Sequence, residues 1–151
     1  MIEILAIGKK HDDYVNPGVE RFEQRLRPPF DVRWTLMPHS HLEGRPARRE
    51  ESSRILDKIS TSDYIILLDE RGTQFDSRTL ASKLTASLSH SLKVKIVIGG
   101  AYGVDETIMN RANLTLALSK LVFPHQLVRL ILLEQVYRAQ EIERGSGYHH
   151  D

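Results

Sequence analysis

Four short, predominantly apolar runs are separated along the chain by segments with helical periodicity. The runs cover residues 2–7, 64–69, 94–98 and 114–118, and they are rich in Ile, Val and Leu. A strand that is apolar on both faces must be covered on both faces, which is typical of parallel strands in α/β proteins. The pattern therefore predicts an α/β fold with a mainly parallel sheet flanked by helices.

The segments between these strands predict helices and one further strand. Helices are expected where apolar residues recur every three or four positions, at residues 15–26, 47–60, 77–89, 105–112 and 124–144. Asp105 is suited to cap the fourth helix, and Pro124 suits the first turn of the last one. Residues 30–37 alternate apolar and polar side chains, which indicates a half-buried strand near the edge of the sheet. Residues 39–46 are expected to form a polar loop.

Composition limits the class of protein. The 151 residues suffice for a single domain over residues 1–151, and 21 basic side chains nearly balance 20 acidic ones. A nucleic-acid partner would therefore be bound through a local patch or by shape. The absence of cysteine indicates a reducing compartment. Without a signal-like N-terminus or an apolar stretch of about 20 residues, we expect a cytoplasmic protein with no membrane partner.

Ligands of parallel sheets bind at the carboxyl ends of the strands, which directs attention to the loops at residues 69–75, 99–104 and 119–124. The loop Gly99-Gly100-Ala101-Tyr102-Gly103 lets a ligand approach the backbone closely, although a tight turn explains its glycines equally well. The apolar segment 118–124 could enclose a flat ring such as adenine. A hydrophobic loop beneath a helix is the more common explanation of such a segment.

The last helix is apolar around most of its circumference. Its apolar residues are Leu127, Val128, Leu130, Ile131, Leu132, Leu133, Val136 and Tyr137. A chain of this length does not easily bury one helix on every side, so the pattern favours a homodimer over a central helix in a monomer.

Polar residues near the C-terminus and one basic cluster have both functional and structural explanations. Glu134 and Arg138 are spaced for an intrahelical ion pair, and tail histidines are commonly exposed and idle. The adjacent residues His149, His150 and Asp151 are a poor metal site, so no metal is expected. Arg45, Arg48 and Arg49 form either an RNA contact or a solvated helix start.

Four motifs occur in order along the chain. They are Ile98–Gly103 (IGGAYG), the Leu-Ser pair at 118–119 with FPHQLVR at 123–129, Leu133–Ala139 (LEQVYRA), and the closing Tyr148-His149. Together with the strand from Ile4 to Gly8, they resemble the ribosomal RNA large subunit methyltransferase H family of the SPOUT superfamily. The resemblance covers essentially the whole chain. It implies a SPOUT-type fold with a C-terminal trefoil knot, where the pattern alone suggests an unknotted doubly wound sheet.

The resemblance implies methyl transfer from S-adenosylmethionine to N3 of pseudouridine 1915 in large-subunit rRNA of assembled ribosomes, by a homodimer and without a metal. The implied cofactor-binding residues are Leu68, Gly99, Gly100, Leu118, Ser119, Lys120, Leu121, Val122 and Phe123. The alternatives are a methyltransferase of the same fold with a different RNA substrate and a module that binds cofactor or RNA without catalysis.

The implied catalytic residues lie in the last helix and the tail. His149 would be a base or an orienting group, Tyr148 a stacking or hydrogen-bonding partner, and Arg138 an anchor for base oxygens or phosphate. His125 would help to shape the site, and water could accept the N3 proton instead of a side chain. Where many members have a basic residue after Tyr-His, this chain has His150, which is only partly charged at neutral pH, so we expect a weaker hold on rRNA phosphate.

Overall fold

The computed structural model describes residues 1–90 and 93–150, so Asp151 of the tail lies outside the described residues. It contains a five-stranded sheet formed by β1 (Ile2–Ile7), β2 (Val32–Met37), β3 (Asp63–Thr73), β4 (Lys93–Ile98) and β5 (Leu114–Leu116). The strand order is β2-β1-β4-β3-β5, and each neighbouring pair is parallel. The predicted parallel sheet is confirmed, and β2 lies at its edge.

The helices connect these strands on both faces of the sheet. They are α1 (Asn16–Glu23), α2 (Gly44–Leu56), α3 (Ser77–Ser89), α4 (Glu106–Arg111) and α5 (His125–Glu143). Asp105 caps α4 as predicted, because its side chain accepts hydrogen bonds from the backbone N–H groups of Thr107 and Ile108. Within the described part of the chain, no helix has the length and apolar character needed to cross a membrane.

The helix α2 begins earlier than the sequence predicted. The expected loop at residues 39–46 is shortened, because the helix starts at Gly44 instead of Ala47. Gly44 has a φ of 59°, in the left-handed region that favours glycine, and Pro46 falls in the first turn, where a missing N–H costs little.

The strands at the functional edge also differ from the prediction. β3 continues past Asp69 to Thr73, whereas β5 ends at Leu116 instead of Leu118. Leu116 pairs with both Leu68 and Thr73, which marks a register shift between them. The added length depends on Gly72, where a Cβ atom would lie 2.6 Å from the carbonyl oxygen of Thr115.

Two hydrophobic cores lie on opposite faces of the sheet, because successive strand residues point to opposite sides. Ile4 and Ile96 point towards one core, which includes Leu132 and Leu133 of α5. Leu5, Ile7 and Val97 point towards the other core, together with Ile55 of α2 and Ile108 of α4. The predicted flanking of the sheet by helices is therefore confirmed.

One fully buried cation joins α5 to the first strand. Arg129 has no exposed surface, and its Nη2 donates to the carbonyl oxygens of Ile7 and Gly8 at 2.9 and 3.1 Å. Its Nη1 donates to the carbonyl oxygen of Lys10 at 3.0 Å. Gly8 has a φ of 117°, and a Cβ there would lie 2.8 Å from Arg129 Nη2. The guanidinium thus fixes the loop that follows β1 against α5.

Replacing Arg129 by Met should lower the free energy of unfolding by about 3 kcal/mol, because the carbonyls of Ile7, Gly8 and Lys10 each lose one donor in a buried place. Urea unfolding followed by circular dichroism measures this change. Arg144→Met is the matched control at the exposed end of α5, where we expect a change within about 0.5 kcal/mol. Equal losses in the two variants would contradict the proposed anchoring role.

Candidate active site

A cavity of about 660 Å³ opens at the carboxyl ends of β3, β4 and β5. Its size falls within the range of small-molecule sites in proteins. It is bordered by the loops that the sequence analysis selected. The predicted cofactor residues in its wall are Leu68, Gly99, Gly100, Leu118, Ser119, Leu121, Val122 and Phe123. Lys120 is exposed and is not among the residues that line the cavity.

Several side chains that the sequence analysis did not assign to the cofactor also line the cavity. They include Arg48, Asp69, Arg71, Tyr102 and His125. Asp69 and Arg71 follow the buried part of β3, so their place at the strand end could have been inferred. Arg48 comes from α2, and only the packing of that helix beside the glycine loop brings it there.

The glycine loop forms a tight turn that serves as one wall of the cavity. The N–H of Gly103 donates to the carbonyl oxygen of Gly100 at 3.0 Å, and Gly103 has a φ of 75°. A Cβ atom at Gly100 would lie 2.6 Å from Glu51 Oε1 and 3.2 Å from Ile7 Cγ2. The turn explanation is therefore confirmed, and the backbone at Gly100 packs directly against α2.

Glu51 is a buried carboxylate behind this turn. Its Oε2 accepts a hydrogen bond from the N–H of Ser40 at 2.9 Å and lies 3.9 Å from His39 Nδ1. Within residues 1–90 and 93–150, its Oε1 has no hydrogen-bond partner. Glu51 therefore holds the loop after β2 close to Gly100 and leaves no room for a larger residue there.

His125, at the start of α5, presents a neutral imidazole to the cavity. Burial lowers its pKa, and His39 and Arg129 lower it further, which outweighs the opposite effect of Asp12 and Glu51. The His39 and His125 ring centroids are 6.0 Å apart. Because its ordinary pKa is already near 6.5, His125 is uncharged at pH 7, and one ring nitrogen can accept a hydrogen bond.

Asp69, one of the two acidic residues of the described cavity wall, is paired. Arg71 donates to the two carboxylate oxygens of Asp69 through Nε and Nη2, each at 2.9 Å. These hydrogen bonds lower the pKa of Asp69. Among the described residues, no group of three or more His, Cys, Asp or Glu side chains is arranged to hold a metal ion.

The predicted catalytic residues of the last helix and tail form one cluster. Arg138 donates to Glu134, and its Nη1 lies 3.1 Å from His149 Nδ1. The guanidinium also stacks 4.8 Å above the ring of Tyr148, whose hydroxyl donates to Glu134 Oε1 at 3.1 Å. Burial raises the pKa of Tyr148, and so does Glu134, so the phenol keeps its proton at neutral pH.

This cluster and the cavity lie at different places along α5. Val128 lines the cavity, whereas Arg138 lies ten residues further along the same helix. At 1.5 Å per residue the separation is about 15 Å. Neither Arg138, Tyr148 nor His149 lines the cavity of its own chain. Within one chain, the predicted cofactor residues thus lie around the cavity and the predicted catalytic residues form the cluster, but the two groups do not meet.

Comparisons with known proteins agree on the class of this fold and site. A family model described as "Predicted SPOUT methyltransferase" matches residues 1–149. A relative named ribosomal RNA large subunit methyltransferase H from Nitratidesulfovibrio vulgaris is 36% identical over 99% of this chain and 98% of its own. A relative of the same name from Bacillus thuringiensis is 38% identical over 98% of each chain.

A solved structure of a probable methylase family protein from Haemophilus influenzae Rd KW20 has a similar fold. Its TM-score is 0.58 at 13% identity, over 99% of this chain and 70% of that one. Together with the matching family model, the parallel sheet and its edge cavity define a methyltransferase of the SPOUT class. Within that class, the chain belongs to the ribosomal RNA large subunit methyltransferase H family, and the resemblance of its four motifs is confirmed.

Gly100→Ala should lower the free energy of unfolding by about 1–3 kcal/mol, because the added methyl group meets Glu51 Oε1. Thermal unfolding of Gly100→Ala, Glu51→Ala and the double variant measures the coupling between the two positions. We expect the double variant to lose less than the sum of the single losses. Gly147→Ala, where no atom lies within 4 Å, should change little. Strict additivity of the two losses would contradict the steric explanation.

Proposed function

We propose that this protein transfers the methyl group of S-adenosylmethionine to N3 of pseudouridine 1915 in the large-subunit rRNA of assembled ribosomes. It would act in the cytoplasm as a homodimer, with the C-terminal trefoil knot of its superfamily. The observation that supports this best is the cavity at the strand ends. Eight of the nine cofactor residues implied by the motifs line it, in a chain related over nearly its full length to methyltransferases named for large-subunit rRNA.

The cavity residues fit the cofactor. Backbone groups of residues 118–123 would read the adenine edge, and apolar side chains such as Leu68 and Leu118 would enclose the ring. The glycine backbone at Gly99 and Gly100 allows a ligand to approach closely. When bound, S-adenosylmethionine supplies an electrophilic methyl group on a positively charged sulfur. That charge disappears on transfer, so the reaction needs no Lewis acid.

The remaining task of the protein is to position N3 and remove its proton. An imide nitrogen is a poor nucleophile while protonated, so N3 must be held in line with the sulfur–methyl bond as its proton leaves. In the proposed mechanism the N3–C bond forms, the C–S bond breaks, and the proton passes to His149 or to water. Arg138 anchors base oxygens or phosphate, and Tyr148 stacks on the base or donates to it.

The separation along α5 favours a site shared between two chains. A cavity and a cluster about 15 Å apart on one helix come together if two copies of α5 pack antiparallel, so that the tail of one chain reaches the cavity of its partner. Apolar surface is present for such packing. Leu121 and Val122 are 71% and 76% exposed at the rim of the cavity, and Leu127 and Ile131 of α5 are only half-buried.

The activity is tested with purified protein, radiolabelled S-adenosylmethionine and ribosomes from a strain that lacks the modification. We expect label only in the unmodified ribosomes, mapped to N3 of the pseudouridine. Free rRNA and already modified ribosomes should incorporate none. Label in a different RNA would replace the proposed substrate. Cofactor binding without incorporation into any RNA would favour a binding module.

The shared site is tested by mixing two variants. A chain truncated before Tyr148 should bind S-adenosylmethionine normally but not methylate ribosomes, whereas Leu118→Arg should abolish binding by placing a charge in the cavity. Co-expressed chains pair at random, and each heterodimer then has one intact shared site. We expect about a quarter of wild-type activity. Inactive mixtures would contradict the shared site, and a fully active truncated chain would remove the tail from the mechanism.

A further inference from the structure

Arg48 lines the cavity beside the glycine loop. It belongs to α2 and is half-buried, and its Nε donates to the carbonyl oxygen of Tyr102 in the glycine loop at 2.8 Å. This hydrogen bond fixes the guanidinium plane at the cavity wall. Within the described part of the chain, the Nη1 and Nη2 atoms form no hydrogen bond or ion pair.

The other ionisable groups of the described cavity wall do not form an ion pair with Arg48. Arg71 is occupied by the carboxylate of Asp69. His125 is neutral at pH 7, because burial and the neighbouring Arg129 lower its pKa. Glu70 is acidic and exposed. Among the described residues that line the cavity, Arg48 is therefore the permanently charged cation that forms no ion pair with a carboxylate of the same chain.

We propose that Arg48 is a specificity-determining residue that binds the α-carboxylate of the amino-acid end of S-adenosylmethionine. The proposal rests on the proposed function. Two parallel N–H groups of a guanidinium match the two oxygens of a carboxylate, and such charge-assisted pairs are among the strong hydrogen bonds of proteins. With the adenine enclosed by residues 118–123, the amino-acid end of the cofactor would lie against the polar wall formed by the glycine loop and α2.

The position of Arg48 favours this ligand over an RNA phosphate. Arg45 and Arg49 of the same basic cluster are exposed, and they border a different surface depression together with Leu42 and Pro46. Arg48 alone of the three lines the cavity and is held by the glycine loop. An RNA backbone outside the cavity would meet Arg45 and Arg49 first, whereas a small ligand inside it would meet Arg48.

The experiment compares two ligands that differ in the carboxylate. S-Adenosylhomocysteine has the amino-acid end, and 5′-methylthioadenosine lacks it. Isothermal titration of the wild type, Arg48→Ala and the control Arg49→Ala with both ligands isolates that contact. Arg48→Ala should weaken S-adenosylhomocysteine binding by about 10- to 100-fold and leave 5′-methylthioadenosine binding within about twofold. Arg49→Ala should change neither.

Each other outcome has a distinct meaning. Equal weakening of both ligands in Arg48→Ala would overturn the proposal, because Arg48 would then act only by supporting the glycine loop through Tyr102. Unchanged binding of both ligands with reduced methylation of ribosomes at saturating S-adenosylmethionine would also overturn it and assign Arg48 to RNA. If the wild type binds neither ligand, the proposed function itself fails.

Discussion

The burial of one guanidinium without a carboxylate partner sets the position of the helix on which the whole site depends. Arg129 exchanges water for the carbonyl oxygens of Ile7, Gly8 and Lys10, which compensates only partly for taking a charge out of water. Burial accordingly lowers its pKa. Such a costly arrangement fixes the start of α5 against the carboxyl end of β1. His125, one turn earlier on the helix, is thereby held at the cavity.

The opposite wall of the cavity depends on a second close contact between distant parts of the chain. The backbone at Gly100 packs against Glu51, and Arg48, one turn earlier on α2, holds the same glycine loop through Tyr102. The glycines therefore allow a helix to approach the strand end as much as they allow a ligand to do so. The position of α2 therefore shapes the cavity, because Arg48 of α2 and the glycine loop pack against each other in its wall.

The parts that the sequence could predict are those set by local pattern. Strands apolar on both faces indicated a covered parallel sheet, and Asp105 indicated the start of α4. The extension of β3 to Thr73 could not be predicted, because it depends on how closely Gly72 approaches Thr115 of another strand. For the same reason, the sequence did not distinguish Arg48 from Arg45 and Arg49, which it explained equally as an RNA contact or as a solvated helix start. Its place in the cavity is set by helix packing that no local pattern describes.

The predicted catalytic residues illustrate a further limit of prediction from sequence. Helical spacing correctly predicted the ion pair between Glu134 and Arg138. The sequence also grouped these two residues with the polar tail, and Arg138 lies beside His149. Neither motif order nor spacing, however, indicated how this cluster lies relative to the cofactor residues. A rigid helix keeps its two ends apart by a fixed rise per residue, so a site needing both ends must be completed by another helix. The proposed homodimer would supply a copy of each end by its symmetry, and its two sites would then form together.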